Sequence, residues 1–197
     1  MFTRKVILAT VAALVLASYA NAQEDVILKD LSVEQVAAYK AGSQKQSSLQ
    51  VTASVDRADL TYARGDVLKL RVKTNEDAYV TVFNVGPKGK VTQIFPNSFQ
   101  KDNFVKANRE VEIPSADSKA EIKIAGDLGG EVVKVFATNK QLKIVPEGVA
   151  TPGQIFLTVK ESVPEIVRNL EVTASAAPAS EKVSIVSLAF KTVASRK

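Results

Sequence analysis

Residues 77–97, reading DAYVTVFNVGPKGKVTQIFPN, constrain this chain more than any other stretch. Ala78 to Val85 is a run of β-branched and aromatic residues, a composition that suits a pleated surface. Tyr79, Thr81, Phe83 and Val85 fall on one face, and Ala78, Val80 and Val82 on the other. Both sets are mostly apolar, so this strand is expected to be covered on both sides and central in its sheet. Gly86-Pro87-Lys88-Gly89 supplies the turn, because Pro87 presets φ and the glycines tolerate positive φ. Lys90 to Phe95 returns as the second arm and stops at Pro96, which has no N–H for a ladder.

The first residues set the compartment. Arg4 and Lys5, the apolar run Val6 to Leu16 and the Ala20-Asn21-Ala22 site form the pattern of a cleaved secretory signal over residues 1–22. That run is too short to cross a bilayer, which takes roughly 20 residues in a helix. The expectation is a periplasmic or secreted protein starting at Gln23, with no membrane span after cleavage. Its size is that of one domain, long enough to bury about 70% of its unfolded surface. The formal net charge of the whole chain is +5, with signs interspersed, which is no nucleic-acid footprint.

The remaining pattern extends the hairpin into a sheet protein. Asp25 to Lys40 is expected to be a helix, with a capping box at Ser32 and Gln35 and an apolar side of Val33, Val36, Ala37 and Tyr39. Ala41 to Ser48 is a polar linker, completing an N-terminal unit over 23–48. Leu49 to Val55 alternates as a first strand, and Asp56 to Asp66 carries turn residues. Val67 to Lys73 alternates cleanly, with Leu68, Leu70 and Val72 inward. Further strands are expected at Arg109 to Ile113, around Ala120 to Ile124, and at Glu131 to Thr138 with Val133, Val135 and Ala137 inward. Gly126 to Gly130 reads as a tight hairpin turn. A helical insertion is expected over about 151–170: Thr151-Pro152-Gly153-Gln154 and Ser162-Val163-Pro164-Glu165 carry start signals, and Val163, Ile166, Val167 and Leu170 make a one-sided stripe. After the Ala174 to Ser180 linker, Val183 to Val193 is apolar on both faces and is expected to return into the main sheet. The class is mainly β: an antiparallel β-sandwich, immunoglobulin-like or a partly open barrel, with short peripheral helices and a single body over 49–197.

Several of these stretches carry a family likeness. Tyr62-Ala63-Arg64-Gly65-Asp66, Asp77 to Asn84, Gly89-Lys90-Val91, Ile94-Phe95-Pro96-Asn97, Asn103 and Ile113-Pro114 together resemble a bacterial domain of unknown function. Members of that family occur in exported envelope proteins, and also appended to caspase-like peptidase and serine/threonine-kinase modules. The likeness spans roughly residues 49–140. It implies a small β-rich accessory module that binds or scaffolds, and it brings no catalytic residues.

Absent residue types narrow the chemistry. The chain has no His and no Cys, so a Ser–His–Asp triad, a thiol nucleophile, a disulfide and an ordinary zinc, copper or haem site are excluded. No cofactor is expected. Glu76-Asp77 and Glu24-Asp25 are adjacent carboxylates at turns, read as solvated turn residues rather than an opposed acid–base pair. Arg64-Gly65-Asp66 matches an integrin-type tripeptide by letter only; three residues match by chance too easily, and a strand-entry turn explains them.

The candidate contact surface is the loop Pro96 to Ala107, long for a connection of about 4–6 residues. In it Phe99 and Phe104 interleave with Lys101 and Lys106, aromatic anchors within a basic rim. The competing expectation folds both rings back over the sheet end, with Asn97 and Asn103 fixing turns. The functional expectation is a non-enzymatic interaction module of the cell envelope with a protein partner, working through this loop or an exposed strand edge. The alternatives are a carrier of a small apolar ligand held between the sheet and the 163–170 helix, and a hydrolase working with carboxylates alone.

Overall fold

The computed structural model describes residues 24–42, 47–142, 144, 155–176 and 181–195. The expected signal over 1–22 and the expected helix cap at Thr151 to Gln154 lie outside the described residues, as do parts of both linkers.

The chain builds a three-layer body around the expected hairpin. Strands β1 (Val51–Val55), β2 (Thr61–Ala63), β3 (Val67–Leu68), β4 (Leu70–Thr74), β5 (Ala78–Val85) and β6 (Val91–Phe95) come first. They are followed by β7 (Phe104–Val105), β8 (Glu110–Ile113), β9 (Ile122–Lys123), β10 (Gly129–Thr138), β11 (Leu157–Val159) and β12 (Val183–Val193). A three-stranded sheet runs β1-β4-β8, and a larger one runs β11-β6-β5-β10-β12-β2, with β7 also on β5 and β3 paired with β9 apart from both. Every pairing is antiparallel except β12 with β2, which is parallel at Lys191↔Thr61 to Val193↔Ala63. The sheets are open and form no closed barrel.

Strand parity sorts the two cores. Val80, Val82, Val133, Val135 and Phe190 face the small sheet and meet Leu70, Val72 and Ile113. Tyr62 closes that layer with its ring edge-on to Phe190, centroids 5.2 Å apart. On the opposite face Phe83, Val132 and Phe136 pack against the helices α1 (Val33–Lys40) and α2 (Val163–Ala176) through Ala38, Val163, Ile166 and Val167. Leu170, the fourth position of the expected stripe, is outside the residues whose side chains are described. β10, read as apolar on one face, is buried on both because β5 and β12 flank it while a sheet and the helices cover it. Its Lys134 is fully buried on the helix side, donating to the Tyr39 carbonyl at 2.9 Å and to Ser187 Oγ at 2.7 Å. Burial lowers the Lys134 pKa to about 8.

Several expectations are corrected. The single helix over 25–40 is broken: a helical segment covers 24–29, and Ser32 caps a new start at Val33. The inward residues of α1 are Gln35 and Ala38, while Val33 is 82% exposed. Gln35 turns in because its Nε2 donates to the carbonyls of Gly130 at 2.7 Å and Val85 at 3.3 Å, a polar reason that hydrophobic periodicity does not carry. The expected strand over 67–73 is two strands with different partners, parted at Lys69, whose N–H donates to Asp56 Oδ1. Gly126 to Gly130 is no hairpin: it carries the chain from β9 to β10, which belong to different sheets. A Cβ at Gly130 would stand 2.5 Å from Leu31 Cδ2, so a side chain there would push the Leu31 tip aside. The helical insertion over 151–170 instead contains β11, paired on β6 at Val159↔Val91, before α2 begins at Val163. Phe83, Phe136, Ile166 and Val167 are buried together between the large sheet and α2.

Gln35→Ala is expected to lower stability by about 2–3 kcal/mol, because two carbonyls lose a buried donor and the capping box loses its reciprocal arm. Urea titration followed by circular dichroism measures it.

Candidate functional site

The 96–107 segment follows from how β5 uses one of its edges. β6 pairs that edge at Val82 to Val85, with a register shift between Val82 and Phe83, and β7 pairs it at Ala78 and Tyr79. Val80 lies between the two, and Asn103 satisfies it twice: the Asn103 carbonyl accepts from Val80 N–H at 2.8 Å, and Asn103 Nδ2 donates to the Val80 carbonyl at 3.0 Å. The other end is fixed by Asn97, whose Nδ2 donates to the Ile94 carbonyl while Oδ1 accepts from the N–H groups of Phe99 and Gln100. Both asparagines are 8% exposed; Asn97 fixes a turn as expected, whereas Asn103 instead completes the β5 edge at Val80.

The two aromatic rings differ. Phe99, on the turn Asn97 fixes, is 52% exposed and does not fold back into the body. Phe104 is 37% exposed and lies beside Tyr79, ring centroids 5.2 Å apart, with Lys106 Nζ 5.0 Å from its ring centre. Lys106 also pairs with Asp77 at 3.2 Å, and Asp77 accepts from Ala107 N–H at 2.8 Å. These contacts hold the Asp77 carboxyl below its ordinary range, the Ala107 N–H first and the lysine second. Lys101 is exposed. The structure thus joins Phe104 to Lys106 and places Phe99 and Lys101 on the neighbouring turn, with no described interaction linking the two pairs.

The other singled-out groups have structural partners. Glu76 pairs with Lys182 at 2.5 Å, and Glu24 accepts from Tyr39 Oη and Ala189 N–H. In the Arg64-Gly65-Asp66 turn, Asp66 pairs with Arg57 and accepts from Ala63 N–H, while Gly65 N–H donates to the Ile124 carbonyl at 2.7 Å.

A concave site that sequence reasoning missed opens at one end of the sandwich, with a volume of about 240 Å³. Glu131 lies within it, 5% exposed, one carboxylate oxygen accepting from Asn84 Nδ2 at 2.9 Å and the other from Thr192 Oγ1 at 3.4 Å. Burial raises the Glu131 pKa to about 7 against the lowering effect of those two hydrogen bonds. A signal for it was present: Glu131 shares strand parity with the inward Val133 and Val135, and Asn84 with Val80 and Val82.

Residues 61–141 match the model of a domain of unknown function (DUF4384). No curated protein and no solved structure matches the chain. The matched segment takes in β2 to β10 and so includes the central hairpin, the 96–107 segment and Glu131. It leaves outside β1, both helices, β11 and the β12 strand that pairs β10 along its whole length.

Proposed function

We propose that this chain is an exported, non-catalytic binding module that presents the 96–107 segment to a protein of the cell envelope. The observation that carries the reading is Phe99: a large apolar ring half in solvent, on a turn whose backbone Asn97 holds by three hydrogen bonds. An ordered anchor binds with less loss of freedom than a mobile one. Lys101 and Lys106 add a basic rim, so the partner surface offers an apolar pocket edged by carboxylates. The resemblance to domains found in envelope proteins and beside peptidase and kinase modules supports a scaffolding role, and the lack of His and Cys fits an activity that rests on contact.

The test immobilises the chain, captures partners from an envelope fraction, and titrates each captured protein against the chain and a Phe99→Ala/Phe104→Ala variant. Loss of a central aromatic anchor is worth about 2 kcal/mol, so affinity should fall about 30-fold with the melting temperature little changed. Equal affinity of a folded variant for the same partners contradicts the reading.

A further inference from the structure

We propose that the cavity at the Glu131 end of the sandwich binds a small dipolar ligand, a primary ammonium joined through an apolar body to an anionic end. The ammonium sits on the Glu131 carboxylate and the anion reaches the lysines at the mouth. This site shares no residue with the 96–107 segment and is independent of the contact function.

The floor carries the first part of the argument. Glu131 is almost wholly buried, yet both groups that hydrogen-bond it, the Asn84 amide and the Thr192 hydroxyl, are neutral. A buried carboxylate without a cation is costly unless it takes up a proton or a positive partner. Asn84 Oδ1, on the same amide that serves Glu131, is buried with no donor. The polar end of the cavity therefore has acceptors to spare, and an ammonium brings three donors and the missing charge. Gly86 and Gly126 flank the carboxylate: a Cβ on either would stand 3.6 Å from one of its oxygens, so side chains there would narrow the approach.

The walls and mouth define the rest of the ligand. Leu68, Ile94, Ile122, Ile124, Phe156 and Phe190 line the cavity, a surface for methylene groups or a ring. At the mouth stand Lys88, Lys90 and Lys123. Lys88 pairs with Asp127 at 3.1 Å and Lys123 with Glu121 at 3.0 Å, while Lys90 has no ion pair among the described residues. A simple alkyl cation would pass these lysines unfavourably. A molecule positive at its inner end and negative at its outer end complements both.

The experiment is isothermal titration at pH 8 with ε-aminocaproate, caproate and hexylamine, on the parent chain, Glu131→Gln and Lys90→Ser. Gln keeps hydrogen-bonding atoms for Asn84 and Thr192, and Lys90 is exposed, so both variants should fold, which melting curves verify. The expected result is binding of ε-aminocaproate, no binding of caproate, and weaker binding of hexylamine. Glu131→Gln should weaken ε-aminocaproate at least about tenfold, the worth of a charge-assisted hydrogen bond. Lys90→Ser should weaken ε-aminocaproate several-fold and leave hexylamine no weaker, or somewhat tighter, because a like charge leaves the mouth. The proposal is overturned if caproate binds as well as ε-aminocaproate, if Glu131→Gln binds unchanged, or if no probe binds at concentrations up to about 10 mM.

Discussion

Replacing Phe136 by Ala is expected to destabilise the chain by about 3–5 kcal/mol, among the largest effects of single truncations on the helix side of the large sheet. Phe136 is fully buried in the C-terminal half of β10, paired in register with Thr81 of β5 and Ile185 of β12. Its ring stands edge-on to Phe83, centroids 5.5 Å apart and planes at 87°. Phe83, Ala38, Ile166 and Val167 belong to the same buried cluster, so the truncation removes packing from both the sheet and the helices. Against the roughly 5–15 kcal/mol that holds a typical domain, this is a substantial fraction. Urea titration followed by circular dichroism measures it, with Val33→Ala as the control. That side chain is 82% exposed, and its loss should shift stability by less than about 0.5 kcal/mol. A Phe136→Ala cost below about 1 kcal/mol would contradict a packed interface between β10 and the helices.

Glu131→Gln is expected to stabilise the ligand-free chain at pH 8 by up to about 3 kcal/mol and to leave it nearly unchanged at pH 4. The carboxyl titrates at its ordinary 4.5 when unfolded and at about 7 when folded, because burial penalises the charged form. Between those values the folded chain holds a proton that the unfolded chain releases, so this group's contribution falls as pH rises from 4.5 through 7. Above 7 the buried carboxylate carries its full cost, which at about 1.4 kcal/mol per pH unit over that gap gives the figure above. Lys134 also titrates near 8, but it is common to both proteins and cancels in their difference. Melting curves of the pair across pH 4 to 9 measure this. A difference independent of pH would mean that the Glu131 carboxyl titrates alike in both states.

Strong periodicity made the middle of the fold legible. Ala78 to Val85 is legible residue for residue, and Val183 to Val193 as a strand returning to the main sheet, because each carries an apolar series on both faces. Leu68, Leu70 and Val72 were correctly placed inward, yet the strand they share is split by Asp56, a side chain eleven or more positions earlier in sequence that engages the Lys69 backbone. β2 and β11 are three-residue edge strands, too short for any period to register, and exist because β12 and β6 offer them free edges. Gln35 is legible as a cap and not as an interior residue, since nothing local says that two distant carbonyls need its amide. The 96–107 loop is legible as a long segment with a turn at Asn97, while the β7 pairing within it and the Asn103 bonds to Val80 depend on β5. Glu131 was passed over because a charged residue in a strand reads as solvated until its partners on β5 and β12 are known.

The most direct test of the contact reading is the hydrogen-exchange footprint of a captured envelope partner on this chain. Slowed exchange confined to the amides of residues 96–107 and the adjoining start of β5 is the predicted result. Unchanged exchange there, with protection appearing at another face, would contradict it.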